Sequence, residues 1–209
     1  LAFRGRSPAP EYLDRLLALF DARRKLGDSF EEALKEPLSV VLASPSFLYL
    51  CEPSAERGHR KLDSFELASR LSYFLWSGPP DDELLALARR DGLQKPAVLA
   101  AQVDRMIADP RSREFVSGFT YQWLTMERLD FFQFDFKLHR GFDDSAKAAA
   151  REEVYETIGC LLRENLGLER LLKSDFVVVN GLLADYYGLD GVMGDAFRKV
   201  PVSADLPRG

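Results

Sequence analysis

The sequence predicts an all-α fold: an irregular multi-helix bundle of roughly eight to ten helices, with a minor two-stranded β ribbon near the C-terminus. Three observations predict it. Apolar residues recur at i, i+3, i+4 and i+7 along most of the chain. Capping and breaking residues punctuate those stripes at helix-sized intervals. Only two short stretches, 176–179 and 197–202, carry the β-branched and aromatic composition of strands, and both lie late in the chain.

The elements follow in order. Ser7-Pro8 opens a first helix whose stripe is Leu13, Leu16, Leu17 and Phe20, ended by Gly27. Ser29 and Glu32 stand at capping-box spacing for a second, with Leu34, Leu38, Val41 and Leu42 inward. Pro37 inside that stripe removes a backbone donor and predicts a kink or a break into two shorter helices. Ser44-Pro45-Ser46 stops the run, and residues 47–50 form a short apolar tail. Residues 52–61 (EPSAERGHRK) are polar and aperiodic, the best linker in the chain. Asp63 or Ser64 then caps a third helix, with Glu66 the box partner of Asp63 and Leu67, Leu71, Phe74 and Leu75 as its inner face. Phe65, Tyr73 and Trp76 leave that helix little polar surface, so it reads as central.

Gly78-Pro79-Pro80 is a firm break, and Asp81 or Asp82 caps a fourth helix that runs to Arg90. A fifth starts near Pro96, with Leu99, Val103, Met106 and Ile107 inward, and ends at Asp109-Pro110. A sixth carries Phe115, Phe119 and Trp123 as an aromatic ladder. At helical spacing such a ladder reads as core. The longest helix spans 143–165, with Val154, Ile158, Leu161 and Leu162 inward and Gly167 placed as its C-cap. A short helix covers 168–173. Residues 180–187 form a last one, stopped by Gly188 and flanked by the two segments of the ribbon.

Composition bounds the function more by exclusion. With 46% hydrophobic and 29% charged residues, the 209-residue chain folds rather than remaining disordered. Its net charge of −5 opposes polyanions, so nucleic acid is not an expected partner. No apolar run reaches the roughly 20 residues of a membrane helix. From the first residue, Leu1, and the loop-like ending SADLPRG, a segment of a longer protein is expected. Cys51 and Cys160 are either one bridge or two separate buried thiols.

No constellation identifies a reaction. His59 lies in the linker and His139 follows a dense run of phenylalanines, with no second ligand at zinc spacing for either, so no metal site is expected. There is no CxxCH for covalent haem, and hence no cofactor is expected in this segment. Asp143 and Asp144 suit a helix N-terminus, and Glu152, Glu153 and Glu156 suit a solvated helix face. Together with Asp130 and Asp135 they nevertheless concentrate acids beside aromatics, the raw material of a glycan site. The run FFQFDF at 131–136 alternates as a half-buried extended segment does, and is the first place to look for a docking surface.

The segments LAFRGRSPAPEYLDRLLALFD and SFEEALKEPLSVVLASPSFLYL resemble the helical module that opens certain large planctomycete-type cytochrome-linked proteins. LDSFELASRLSYFLWSGPPDDELLALA, VDRMIADPRSREFVSGFTYQWL and SDFVVVNGLLADYYGLDGV resemble the domain of unknown function that follows it there. Residues 206–209 resemble the entry to a third. Pro37 and Cys51 depart from that pattern, which has a helix former and an arginine at those places. The resemblance implies an exported, extracytoplasmic, multidomain protein with a c-type haem elsewhere in its polypeptide. It transfers no catalytic residue.

The expected organisation is a helical pair at 1–51, a main domain at 62–190 and the start of a further domain at 191–209. The expected role is a non-catalytic scaffold or docking domain whose partners are the other domains of the same polypeptide. Two alternatives stand beside it: a polysaccharide-binding or polysaccharide-degrading domain using the acids and aromatics of 130–144, and a cell-surface self-assembly module. A cleft lined by two of those acids with an exposed Trp or Tyr would favour the glycan reading. A large exposed apolar patch would favour assembly.

Overall fold

The computed structural model describes residues 3, 5–49, 60–135 and 137–203. Cys51, His59, Phe136, most of the linker and residues 206–209 lie outside the described residues. Among those described, ten α-helices and one two-stranded antiparallel sheet near the C-terminus make a mostly α fold. The chain divides into two compact units, residues 1–105 and 106–209.

The first unit opens with a helical hairpin, α1 (Pro10–Lys25) and α2 (Phe30–Leu42). Ser29 accepts from the Glu32 amide at 3.2 Å, satisfying one of the free donors at the start of α2. Contrary to the expected break, α2 runs unbroken through Pro37, whose ring is buried. A single turn, α3 (Pro45–Leu48), follows the Ser44-Pro45 stop. The hairpin has almost no interior. No residue of α1 is buried, and in α2 only Ala33 and Pro37 are.

Asp63 caps α4 (Ser64–Trp76) in a full capping box: its side chain accepts from the Glu66 amide and Glu66 accepts from the Asp63 amide, both at 2.9 Å. The inner face of α4 differs from the expected one. Ser64, Ala68, Ser69, Ser72, Leu75 and Trp76 are buried, whereas Leu67 and Leu71 are half-buried and Phe74 is 62% exposed. Small side chains let the helix axis approach its neighbours closely, so the large residues are displaced to the flank. Asp81 caps α5 (Asp82–Arg89) through the Leu84 amide, and Arg105 grips the same carboxylate at 2.8 Å while lying 5.4 Å from the Trp76 ring centre. Helix α6 (Pro96–Ala108) contributes Gln102, which donates to Glu83.

The residues before α1 tie it to this core. Gly5 sits at φ +79°, and a Cβ there would lie 2.4 Å from Leu85, so a glycine is required for the approach. Arg6 then pairs with Asp63 and Glu66. Glu66 is 8% exposed and also receives two hydrogen bonds from Arg60, at 2.6 and 2.7 Å. Those Arg60 bonds, opposed by burial and reinforced by the Asp63 amide and the charges of Arg60 and Arg6, bring its carboxyl down from 4.5 to about 2.

The second unit contains α7 (Arg113–Trp123), α8 (Glu127–Phe131), α9 (Asp144–Arg163), β1 (Phe176–Val179), α10 (Gly181–Tyr187) and β2 (Arg198–Pro201). Its core has two parts. Ala149, Val179, Leu183 and Ala184 form one, and Cys160, Leu161, Phe176 and Val178 the other, with Phe197 packed against both. The strands pair antiparallel with Phe176 opposite Pro201 and Val179 opposite Arg198, the ribbon the composition predicts. Asn180 caps α10 through the Leu183 amide, and Gly188 ends it in a left-handed conformation. Asp143 caps α9 as expected, but its C-terminal reversal uses Asn165 at φ +50° instead of Gly167, which begins the 3-10 turn at Leu168–Leu171. Arg113 on α7 reaches Glu152 and Glu156 on α9, and these carboxylates raise its already high pKa, that of Glu152 most.

Among the described residues no helix is long and apolar enough to cross a membrane.

Candidate functional site

The acids and aromatics singled out in the sequence do share one place. An open cleft of about 730 Å³ is lined by the loop between α8 and α9 and by the first turn of α9. It contains Asp130, Asp135, Asp143 and Asp144 together with Phe131, Phe132, Phe134 and Phe142.

Local hydrogen bonds give the loop its shape. The Asp135 side chain accepts from the Lys137 amide at 2.8 Å, and its carbonyl accepts from Leu138 and His139. Gly141, at φ +90°, turns the chain into the α9 cap. One long-range tie holds the loop base: Lys147, on α9, donates to the carbonyls of Asp130 and Phe132 at 3.1 and 3.0 Å, satisfying the end of α8. Arg151 pairs with Asp130 beside it.

Beneath the loop the rings form a connected cluster. Phe134 touches Phe132, Phe142 and His139 at centroid distances of 4.9, 4.4 and 5.9 Å. Phe142, 8% exposed, meets Tyr186 of α10 at 5.1 Å, and Tyr187 donates to Glu153 at 2.6 Å. Above the cluster, Phe131 and Phe132 are 78% and 58% exposed and Leu138 is 77% exposed. The expected alternation therefore holds only in part: Phe131 and Phe132 both point outward, because α8 extends through Phe131 where the sequence suggests an extended segment. His139 is exposed and lies 3.5 Å from the Tyr186 hydroxyl.

Asp130 is engaged by Arg151, Asp143 by the Ala146 amide and Asp135 by the Lys137 amide, so three of the four acids already hold a structural partner. An acid–base pair for glycoside hydrolysis needs two carboxyls directed at one bond. The lining aromatics are all phenylalanines; neither Trp nor Tyr borders the cleft, and Tyr186 touches it only through Phe142. Among the described residues, no group of three or more His, Cys, Asp or Glu side chains is placed to hold a metal ion.

The other sequence candidates stand elsewhere. The ladder Phe115–Phe119–Trp123 is not core. Its rings follow one another at 5.5 Å along α7, but Phe119 and Trp123 are about half exposed, while Val116 and Thr120 take the buried side. Cys160 is a buried free thiol that donates to Glu164 at 3.4 Å. Burial, followed by the Glu164 carboxylate, pushes its pKa up, the reverse of an activated nucleophile. Lys199 pairs with Glu164 and lies over the Phe176 ring at 4.2 Å, closing the ribbon edge. An apolar groove of about 640 Å³ between α4 and α6, lined by Leu67, Leu71, Phe74, Leu99 and Val103, was invisible in the sequence because it depends on the rotation of α4.

No curated protein and no solved structure matches the chain. Residues 1–52 match the family PSD5, described as a protein of unknown function (DUF1595). Residues 62–189, more than half of the chain, match PSD4, likewise described as a protein of unknown function (DUF1592). With its main helices and its cleft inside that match, the chain belongs to the PSD4 (DUF1592) family.

Proposed function

We propose that this chain is a non-catalytic docking domain of a larger exported, haem- or redox-linked protein, and that the loop at 131–142 receives another domain of the same polypeptide. The observation that carries this reading is the pair Phe131 and Phe132, exposed on a loop that is itself held from beneath by Phe142 and Lys147. Exposed aromatics on a pinned support lose little entropy on binding, which is how interface anchors work. The extracytoplasmic setting and the haem in a neighbouring domain come from the resemblance to planctomycete-type cytochrome-linked proteins. Hydrogen exchange tests the docking. In the full-length protein the amides around Phe131 and Phe132 exchange more slowly than in the isolated chain, and the double variant Phe131→Ser/Phe132→Ser abolishes the difference. Equal exchange in both settings overturns the reading, as does a Soret band held by this chain alone.

A second reading rests on the cleft itself: four carboxylates beside exposed rings suit the hydroxyls and apolar faces of a polysaccharide. Calorimetric titration with soluble polysaccharides separates the two. Binding that is lost in Phe131→Ala and in Asp144→Asn favours the glycan, and heats equal to those of dilution exclude it.

A further inference from the structure

The α1–α2 hairpin carries two apolar faces, and its own packing uses only one. On α1, Tyr12, Leu16, Leu19, Phe20 and Arg23 are the half-buried positions; on α2, Ala33 and Pro37 are buried. At 100° per residue, Leu13 and Leu17 lie about a quarter-turn from the contact side of α1, and Leu34 and Leu38 a similar rotation, in the same sense, from that of α2. Because the helices run antiparallel, equal rotations in one sense bring both stripes to the same side of the hairpin. Leu13, Leu17, Leu34 and Leu38, with Leu42 at one end of the α2 stripe and Phe30, whose ring also meets Phe20 of α1 at 5.4 Å, at the other, thus form one continuous face. Each of the six is 37–62% exposed. An open stripe this long on both helices of a hairpin is the pattern of half a four-helix bundle.

We propose that this face pairs with the same face of a second copy of the chain, forming a two-fold four-helix bundle in which α1 of each copy lies over α2 of the other. Closing two such faces removes on the order of 1,000 Å² of surface, enough to enter the range of specific interfaces. The charged rim selects both partner and orientation. Counting 1.5 Å per residue from the turn, Asp21 and Lys35 lie at nearly equal distances from it toward opposite outer edges, and Arg24, on the α1 face itself, lies as far from it as Glu31 at the margin of α2. Laying α1 over α2 of a second copy with both turns at one end therefore sets Asp21 against Lys35 and Arg24 against Glu31. Reversing one copy lays α1 antiparallel on α1 and sets Asp14 of each copy against Asp21 of the other, like charge on like. Asp21 and Glu31 have no ion-pair partner among the described residues, while Lys35 holds Glu32 and Arg24 the Asp28 carbonyl through exposed contacts that the new pairs share or replace. This face is built from residues other than those of the 131–142 loop, and the proposal does not depend on the role given to that loop.

Sedimentation equilibrium of the intact chain at micromolar concentration tests the proposal. Twice the chain mass is expected. Leu17→Asp/Leu38→Asp, at exposed positions that leave the circular dichroism and urea midpoint of the dilute chain unchanged, should give the single-chain mass. Asp21→Lys should weaken dimerisation at least about tenfold, roughly 1.4 kcal/mol, and the swap Asp21→Lys/Lys35→Asp should recover most of it. A wild-type chain that stays at single-chain mass overturns the dimer, as does a Leu17→Asp/Leu38→Asp variant that still sediments at twice that mass. A charge swap without recovery overturns the α1-over-α2 arrangement. Phe131→Ser/Phe132→Ser should leave the mass unchanged, so the docking loop and this face fail independently.

Discussion

The N-terminal hairpin and the ribbon-helix layer of the second unit both carry apolar stripes, yet they bury them very differently. Across α1 and α2, 29 residues in length, only Ala33 and Pro37 are buried. In the second unit the four-residue strand β1 alone buries Phe176, Val178 and Val179, and α10 adds Leu183 and Ala184. The difference lies in what surrounds each element. The strand is covered by α9 and α10 and paired along one edge, whereas among the described residues the hairpin packs mainly on its own partner helix, with the single turn α3 against α2 and a tether through Gly5 and Arg6. Periodicity shows which residues share a face; it carries no information on whether anything covers that face.

The comparison can be broken by mutation. Leu183 is fully buried, so Leu183→Ala should lower stability by about 3 kcal/mol, loss of transfer energy plus an unfilled cavity. A urea titration of the second-unit signal checks it, and a loss below about 1 kcal/mol would mean that the layer is looser than its burial suggests.

Glu66 probes the tether. Its folded carboxyl, at about 2, lies below the ordinary 4.5, so folding favours the ionised form. The resulting stabilisation is complete above pH 4.5 and is lost as the pH falls from 4.5 toward 2. Glu66→Gln should cost about 2 kcal/mol near neutrality, somewhat less than the full shift implies because Arg60 and Arg6 are partly exposed. The gap between wild type and variant should close across that acid window, and a gap independent of pH would remove the ionic explanation.

The smallest effect belongs to the hairpin. Leu34→Ala, at a position 37% exposed, should cost the dilute chain less than about 1 kcal/mol. A loss as large as that at Leu183 would show that the hairpin face is covered within a single chain.

Local chemistry was legible at most helix ends, the expected Gly167 C-cap being an exception. The Ser29, Asp63, Asp81, Asp143 and Asn180 caps and the Gly188 stop all appear where the side-chain chemistry places them. Each rests on a hydrogen bond spanning three or four residues, or on one residue's freedom to take positive φ. The candidate site was half legible. Its acids and phenylalanines are close in sequence, but the Lys147 anchor reaches back 15 and 17 residues and the Tyr186 contact crosses 44. Helix α8 was missed because a five-residue helix gives periodicity too little length to register.

By itself, then, the sequence determined most of the helix caps and breaks, the late ribbon and the mostly α class, since caps, breakers and β-branching act over a few residues. Tertiary structure decided which side of each helix is interior. It turned the small residues of α4 inward, left the α7 ladder open to solvent and stripped the hairpin of a core. Burial is a property of what lies opposite a face, and a one-dimensional pattern holds no record of that.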